Sequence, residues 1–300
     1  MGESARFLGC NIVRNYEKDS ISLSQFLYIE ETLVAAGMIN CSGHRIPMDL
    51  GYRKERDTEL LDNPLEYQRL VGKVNWLVIK TRPDIKNTVF LLQRRMNIPT
   101  EADQRAVTSM LRYLKATDRL GIELAADYIC GLEIYVDAAH QDYEDRKSTE
   151  GAIIMYAGAS ISWILRKQTF VALSSTIAEF LAYDTAVKEV LYIRKVLKAL
   201  NLPINPGTAN SNKLIISTDS QNSMKILQHG NYTPAIRWLD NRYLFIRDLL
   251  QAGEVYLRFV PSGENVADAL TKPLNREAFI CAREGMKLKV INALKVEDTA

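Results

Sequence analysis

Leu-Glu-Ile-Tyr-Val-Asp, residues 132–137, is an apolar run that closes on an acid. Strands disfavour Asp, so Asp137 is out of place at the end of a segment that otherwise reads as β. Two further β-rich runs, 152–157 and 160–166, follow across turn residues. A helical pattern then extends from about Ser174 to Leu200 and ends before Asn201 and Pro203, a stop signal. A polar loop over 205–212 leads into Leu-Ile-Ile-Ser-Thr-Asp (214–219), a second apolar run ending on an acid. Helices over 220–228 and 236–251, a strand over 255–260 and a helix from about Glu264 complete the series. The order β-β-β-α-β-α-α-β-α predicts an α/β domain on a mixed sheet.

Four acids in this segment sit where an acid is unexpected. Asp137 and Asp219 end strands, and Glu179 lies just inside the long helix. Asp268 follows the last strand in Asn-Val-Ala-Asp-Ala-Leu-Thr-Lys (265–272). Clustered buried carboxylates repel one another unless a cation sits between them. A central sheet brings the ends of neighbouring strands together, the helix packed on it lowers Glu179 to the same point, and Asp268 enters from the final helix. Acids gathered without Cys or His ligands suit hard cations such as Mg²⁺ or Mn²⁺. Two such ions roughly 3.5–4 Å apart make a phosphoryl-transfer site. Each acid alone reads as an ordinary strand-end or helix-cap residue; the four in this strand order predict a site. His140 is the one histidine near it in sequence.

Upstream, residues 6–13 and 20–24 read as a strand pair around a polar turn at Asn15–Asp19, followed by a helix over 25–36. Residues 40–63 are polar and irregular and read as a surface connection. Three amphipathic helices come next. Their apolar stripes are Tyr67, Leu70, Val71 and Val74, then Ile85, Val89, Leu92 and Met96, then Val107, Met110, Leu111 and Leu114. Thr100 is the expected N-cap of the third, with Asp103 three residues on. This part predicts a small helical bundle.

The chain has 300 residues, which makes two domains a reasonable prior. A hydrophobic fraction of 47% is ample for a core, and a net charge of +2 neither demands nor excludes a nucleic-acid partner. The four cysteines form no C-x-x-C pair, against a disulfide framework or structural zinc. No apolar run reaches membrane-spanning length and no signal-peptide core is present. The expectation is a cytoplasmic or nuclear protein without a membrane partner.

Several motifs are recognisable. Tyr-Val-Asp-Ala (135–138), Asp-Arg-Lys-Ser-Thr-Glu-Gly (145–151), Ile-Ser-Trp (161–163) and Lys-Gln-Thr-Phe-Val-Ala-Leu-Ser-Ser-Thr-Ile-Ala-Glu-Phe (167–180) resemble the ribonuclease H domain of copia-type retrotransposon polyproteins. So do Ser-Thr-Asp-Ser-Gln (217–221), Arg-Tyr-Leu-Phe-Ile-Arg-Asp (242–248) and Val-Ala-Asp-Ala-Leu-Thr-Lys-Pro-Leu (266–274). Arg-Phe-Leu-Gly (6–9), Leu-Ser-Gln-Phe-Leu-Tyr-Ile-Glu (23–30), Pro-Met-Asp (47–49), Tyr-Gln-Arg-Leu-Val-Gly (67–72), Thr-Arg-Pro-Asp-Ile (81–85) and Leu-Arg-Tyr-Leu-Lys-Ala-Thr (111–117) resemble the end of that family's reverse transcriptase with its thumb and connection.

The resemblance implies a ribonuclease H-like mixed five-stranded sheet with flanking helices, preceded by a small α+β or helical thumb-connection domain. It places the reverse-transcriptase part at 1–125, the ribonuclease H-like part at 126–285 and a tail at 286–300. It implies two-metal cleavage of the RNA strand of RNA–DNA hybrids, with Asp137, Glu179, Asp219 and Asp268 as the metal-binding and catalytic acids. Arg146, Lys147, Arg166 and Lys167, in turns of the first β-meander, are candidates to contact hybrid phosphates. Arg94 and Arg95 on the helical segment are candidates to line the same hybrid.

Ala139 stands where the family has a second acid, Ile177 where it has a Glu, and Trp238 where it has a His. These departures leave open a retroelement remnant that binds nucleic acid or a partner without efficient turnover. The sequence holds no Asp-Asp pair, so no polymerase activity is expected from this chain by itself. The absent polymerase half or another Pol chain is the expected protein partner.

Overall fold

The computed structural model describes residues 4–54, 58–125, 131–140, 145–205, 213–229 and 240–291. Two units emerge, Met1–Ala126 with Pro273–Ala300, and Asp127–Lys272. Residues 273–285 thus fall with the first unit, whereas the sequence reading groups them with the second. The loop over 206–212, Trp238 and residues 292–300 of the tail lie outside the described residues.

In the first unit, strands β1 (Ser4–Phe7), β2 (Cys10–Asn15), β3 (Ser20–Ser24), β4 (Leu120–Ala125) and the last strand, β10 (Lys289–Val290), form an antiparallel sheet in that order. The single strand expected over 6–13 is broken at Leu8 and Gly9, which have φ of 50° and 76°. Two left-handed residues make a hairpin turn whose twist matches its strands. Helices α1 (Phe26–Ala35), α2 (Leu65–Lys80), α3 (Lys86–Gln93) and α4 (Glu101–Ala116) form where the sequence predicts helices, although α3 is shorter than its stripe: Ile85 lies in a 3₁₀ turn before it and Met96 beyond its end. Thr100 and Asp103 cap α4 reciprocally. The three later helices pack against one another as the small bundle predicts; what the strand-pair reading lacks is β4 and β10, which extend the hairpin into a five-stranded sheet. Gly121 permits this: a Cβ there would lie 2.4 Å from the carbonyl oxygen of Leu23 on the adjacent strand.

The second unit contains β5 (Glu133–Ala139), β6 (Thr149–Tyr156), β7 (Ala159–Lys167), α5 (Ser175–Ala199), β8 (Leu214–Thr218), α6 (Gln221–His229), α7 (Asp240–Gln251), β9 (Val255–Phe259) and a one-turn helix, α8 (Asp268–Thr271). Its sheet runs β7-β6-β5-β8-β9. The first two pairings are antiparallel and the last two parallel. This is the ribonuclease H-like mixed sheet that the motifs imply.

The parallel joint between β5 and β8 needs a crossover connection, and α5 supplies it. The joint also sets the site. Tyr135 pairs with Ser217, so two residues further along, Asp137, still on β5, and Asp219, just past the end of β8, come side by side. The carboxyl ends of parallel strands are where α/β sheets gather ligand-binding groups. The final helix expected from Glu264 is instead a 3₁₀ turn, Ser262–Glu264, followed by α8. Pro273 explains the early stop. The residue before a proline avoids the helical region, and Lys272 is extended at φ −125°, ψ 141°. A longer helix, α9 (Arg276–Gly285), belongs to the first unit.

Candidate active site

Three elements deliver three carboxylates to one place. Asp137 lies on β5, Asp219 directly follows β8, and Glu179 faces them from the second turn of α5. Ser174 fixes where α5 begins by accepting a hydrogen bond from the backbone N–H of Ile177. One carboxylate oxygen from each of Asp137, Glu179 and Asp219 lies within 4.8 Å of the others. Asp137 is 1% exposed and Glu179 7%, so water does little to screen their repulsion.

Asp268 completes the group through a lysine. Lys272 Nζ donates to Asp137 Oδ1 and to Asp268 Oδ1, each at 3.2 Å. The two residues are one turn apart, the spacing that lets side chains meet on a helix. Thr271 Oγ1 donates to the other Asp137 oxygen. Asp219 is held separately. Ser262 Oγ donates to its Oδ2 at 2.5 Å, and Asn265 Nδ2 reaches its Oδ1 at 3.4 Å. Asn265 also donates to the Val136 carbonyl at 3.0 Å, so one buried amide ties the last segment to β5 and to the end of β8. On the far side of Glu179, the Tyr183 hydroxyl lies 3.1 Å from Thr218 Oγ1 and 2.6 Å from Ser223 Oγ. That contact locks α5 against β8 and α6.

The electrostatics follow from this crowding. Burial, then the charges of Asp137 and Asp219, raise the Glu179 carboxyl well above its ordinary range. Asp137 is also raised by burial, against the opposing pull of Lys272 and Thr271. Burial and the Asp137 charge push Asp268 up to about 7. Burial alone would depress the Lys272 ammonium, but Asp137 and Asp268 outweigh it and hold it above the ordinary lysine value. Glu179 Oε2 is buried with no hydrogen-bond partner. An orphaned buried carboxylate oxygen is costly, and the Glu179 carboxyl also lies within 4.8 Å of two more. All the donors are oxygens, the set that hard divalent cations take. The residues therefore fit Mg²⁺ or Mn²⁺.

No protein-family model matches the chain. The retrovirus-related Pol polyprotein of transposon TNT 1-94 from Nicotiana tabacum is 28% identical over 298 residues, covering 95% of this chain and 21% of that protein. The Pol polyprotein of transposon RE1 from Arabidopsis thaliana is 32% identical over 262 residues, covering 86% of this chain and 17% of that protein. This chain belongs to the copia-type retrotransposon Pol family. It spans about a fifth of the length of these curated Pol relatives. Among solved structures, LC11 ribonuclease H1 isolated from compost matches 51% of this chain and 98% of that chain, with 16% identity and a TM-score of 0.36. The fold of the second Pol unit is assigned from its own strand order and connections.

The basic candidates of this Pol segment divide into two groups. Arg166 pairs with Glu150 and donates to Thr185. Lys167 pairs with Asp145. Arg95, in the first unit, lies 3.3 Å from Asp103, and Arg94 is exposed beside it. Arg146 is exposed at a left-handed φ of 56°, and Lys147 is half-buried. His140 gives its ring nitrogen to the Ala172 carbonyl at 3.0 Å, which ties the end of β5 to the loop before α5. Sequence reasoning missed Lys272, Thr271, Asn265 and Ser262. The available signal was a lysine four residues after Asp268 on a short helix.

Proposed function

We propose that the second unit is a metal-dependent ribonuclease H that cuts the RNA strand of RNA–DNA hybrids. The observation that carries this reading is the convergence of Asp137, Glu179 and Asp219 within 4.8 Å, with Asp268 joined to Asp137 through Lys272. The hybrid as substrate comes from the Pol family resemblance. Two ions, when bound, would lower the pKa of an attacking water and stabilise the leaving 3′-oxygen. Asp137, Glu179, Asp219 and Asp268 are the residues that would hold them.

The remaining chemistry belongs to the chain. Ser262 and Asn265 hold the Asp219 carboxylate in place. Thr271 orients Asp137, and Tyr183 keeps the Glu179 helix on the sheet. Such supporting contacts set the precision of a catalytic group. Arg146 and Lys147 are proposed to take backbone phosphates, which positions a substrate without reading its sequence. Arg166 and Lys167 are committed to acids and are proposed to shape this turn region. The setting proposed is cytoplasmic or nuclear, with the polymerase half of a Pol protein as partner.

The test is incubation of the full chain with a labelled RNA–DNA hybrid and Mg²⁺. Cleavage is expected, and EDTA or Asp219→Asn should abolish it. An inert wild-type chain would overturn the reading in favour of a non-catalytic retroelement remnant.

A further inference from the structure

The two sides of the carboxylate group are not equivalent. Asp137, Glu179 and Asp219 converge with an unpartnered buried oxygen on Glu179. The Asp137–Asp268 side is already spanned by an ammonium, 3.2 Å from each acid. Lys272 is also the most exposed of the three, its side chain 39% exposed against 1% for Asp137 and 12% for Asp268. Its long flexible stem can move the ammonium to water while the acids stay buried.

We propose that Lys272 is a built-in cation that occupies the Asp137–Asp268 side and must withdraw before a divalent ion binds there. This rests on the metal-dependent reading above. In that state Lys272 compensates two buried carboxylates that would otherwise face each other unscreened. An ammonium and a divalent ion cannot share the same two oxygens, so every ion binding on that side displaces Lys272. The consequence is ordered filling. The Glu179–Asp219 side loads first, and the Asp268 side loads at higher metal concentration. The requirement for the second ion thereby becomes a threshold set by Lys272.

The test is calorimetric titration of the full chain with MnCl₂, comparing wild type, Lys272→Met and Lys272→Arg. Wild type should show two unequal affinities. Lys272→Met, which keeps the length and removes the charge, should strengthen the weaker one by about tenfold or more and leave the tighter one within about twofold. Lys272→Arg should stay unequal. A second measurement needs no variant. Acylation of the Lys272 amine in wild type, read by mass spectrometry, should rise when saturating Mn²⁺ is added.

Identical affinities in wild type and Lys272→Met would overturn the inference. Loss of the second site in Lys272→Met, or acylation that does not rise with Mn²⁺, would do so too. If wild type cleaves hybrid while Lys272→Met titrates as wild type does, the inference falls and the ribonuclease reading stands. If wild type binds no Mn²⁺, both fall.

Discussion

Asp268→Asn should stabilise the metal-free protein increasingly as pH rises. Asp268 is 9% exposed, and burial with the Asp137 charge pushes it up to about 7, against about 3.9 for an ordinary aspartate. A carboxyl raised in the folded state binds its proton more tightly there than in the unfolded chain. Its contribution to stability is therefore complete below about pH 4 and is lost as pH rises through about 7. Roughly three pH units at about 1.4 kcal/mol each set a ceiling of about 4 kcal/mol. An Asn has no proton to lose. In EDTA, the stability of Asp268→Asn relative to wild type should therefore grow by about 2–4 kcal/mol between about pH 4 and pH 8. Urea unfolding at each pH, with the slope checked for constancy, reads this difference. A difference that stays flat across the range would refute the crowded-carboxylate description of the site.

Gly151→Ala should disturb the Asp268 arm from outside the acid group. A Cβ there would lie 2.8 Å from Thr271 Cγ2 and 3.1 Å from Leu270 Cβ, so a cost of about 1–3 kcal/mol is expected, with cleavage falling more steeply than the urea midpoint. Tyr183→Phe removes the hydroxyl between Thr218 and Ser223 and should cost about 1 kcal/mol, measurable as a shift in thermal midpoint. Arg166→Ala leaves the buried Glu150 without its cation and should lower stability with little change in the salt dependence of hybrid binding. Arg146→Ala should reverse that pattern, keeping stability and reducing the salt slope by about 1.

Much of the second unit was legible because its signals are local. The apolar run ending on Asp219 marks the end of β8, the run to Asp137 marks β5, which continues two residues further to Ala139, and the Asn201 and Pro203 stop marks the end of α5. One parallel pairing, β5 with β8, then brings Asp137 and Asp219 together. Contacts across the fold were harder to read. Arg166 looks like a free turn cation in sequence, yet it sits directly opposite Glu150 in the β6–β7 register. Lys272 looks like a helix-end lysine until α8 is seen to stop after a single turn, which turns its ammonium back onto Asp137. In the first unit, β4 and β10 escaped notice because their pairing depends on a close approach at Gly121, which leaves little local trace.

The most direct measurement uses a hybrid with its RNA and DNA strands labelled separately, incubated with the full chain. With Mg²⁺, the wild type should cut the RNA strand and leave the DNA strand whole, and Asp137→Asn should cut neither. An intact RNA strand with wild type, or cleavage that persists in Asp137→Asn, would contradict the account.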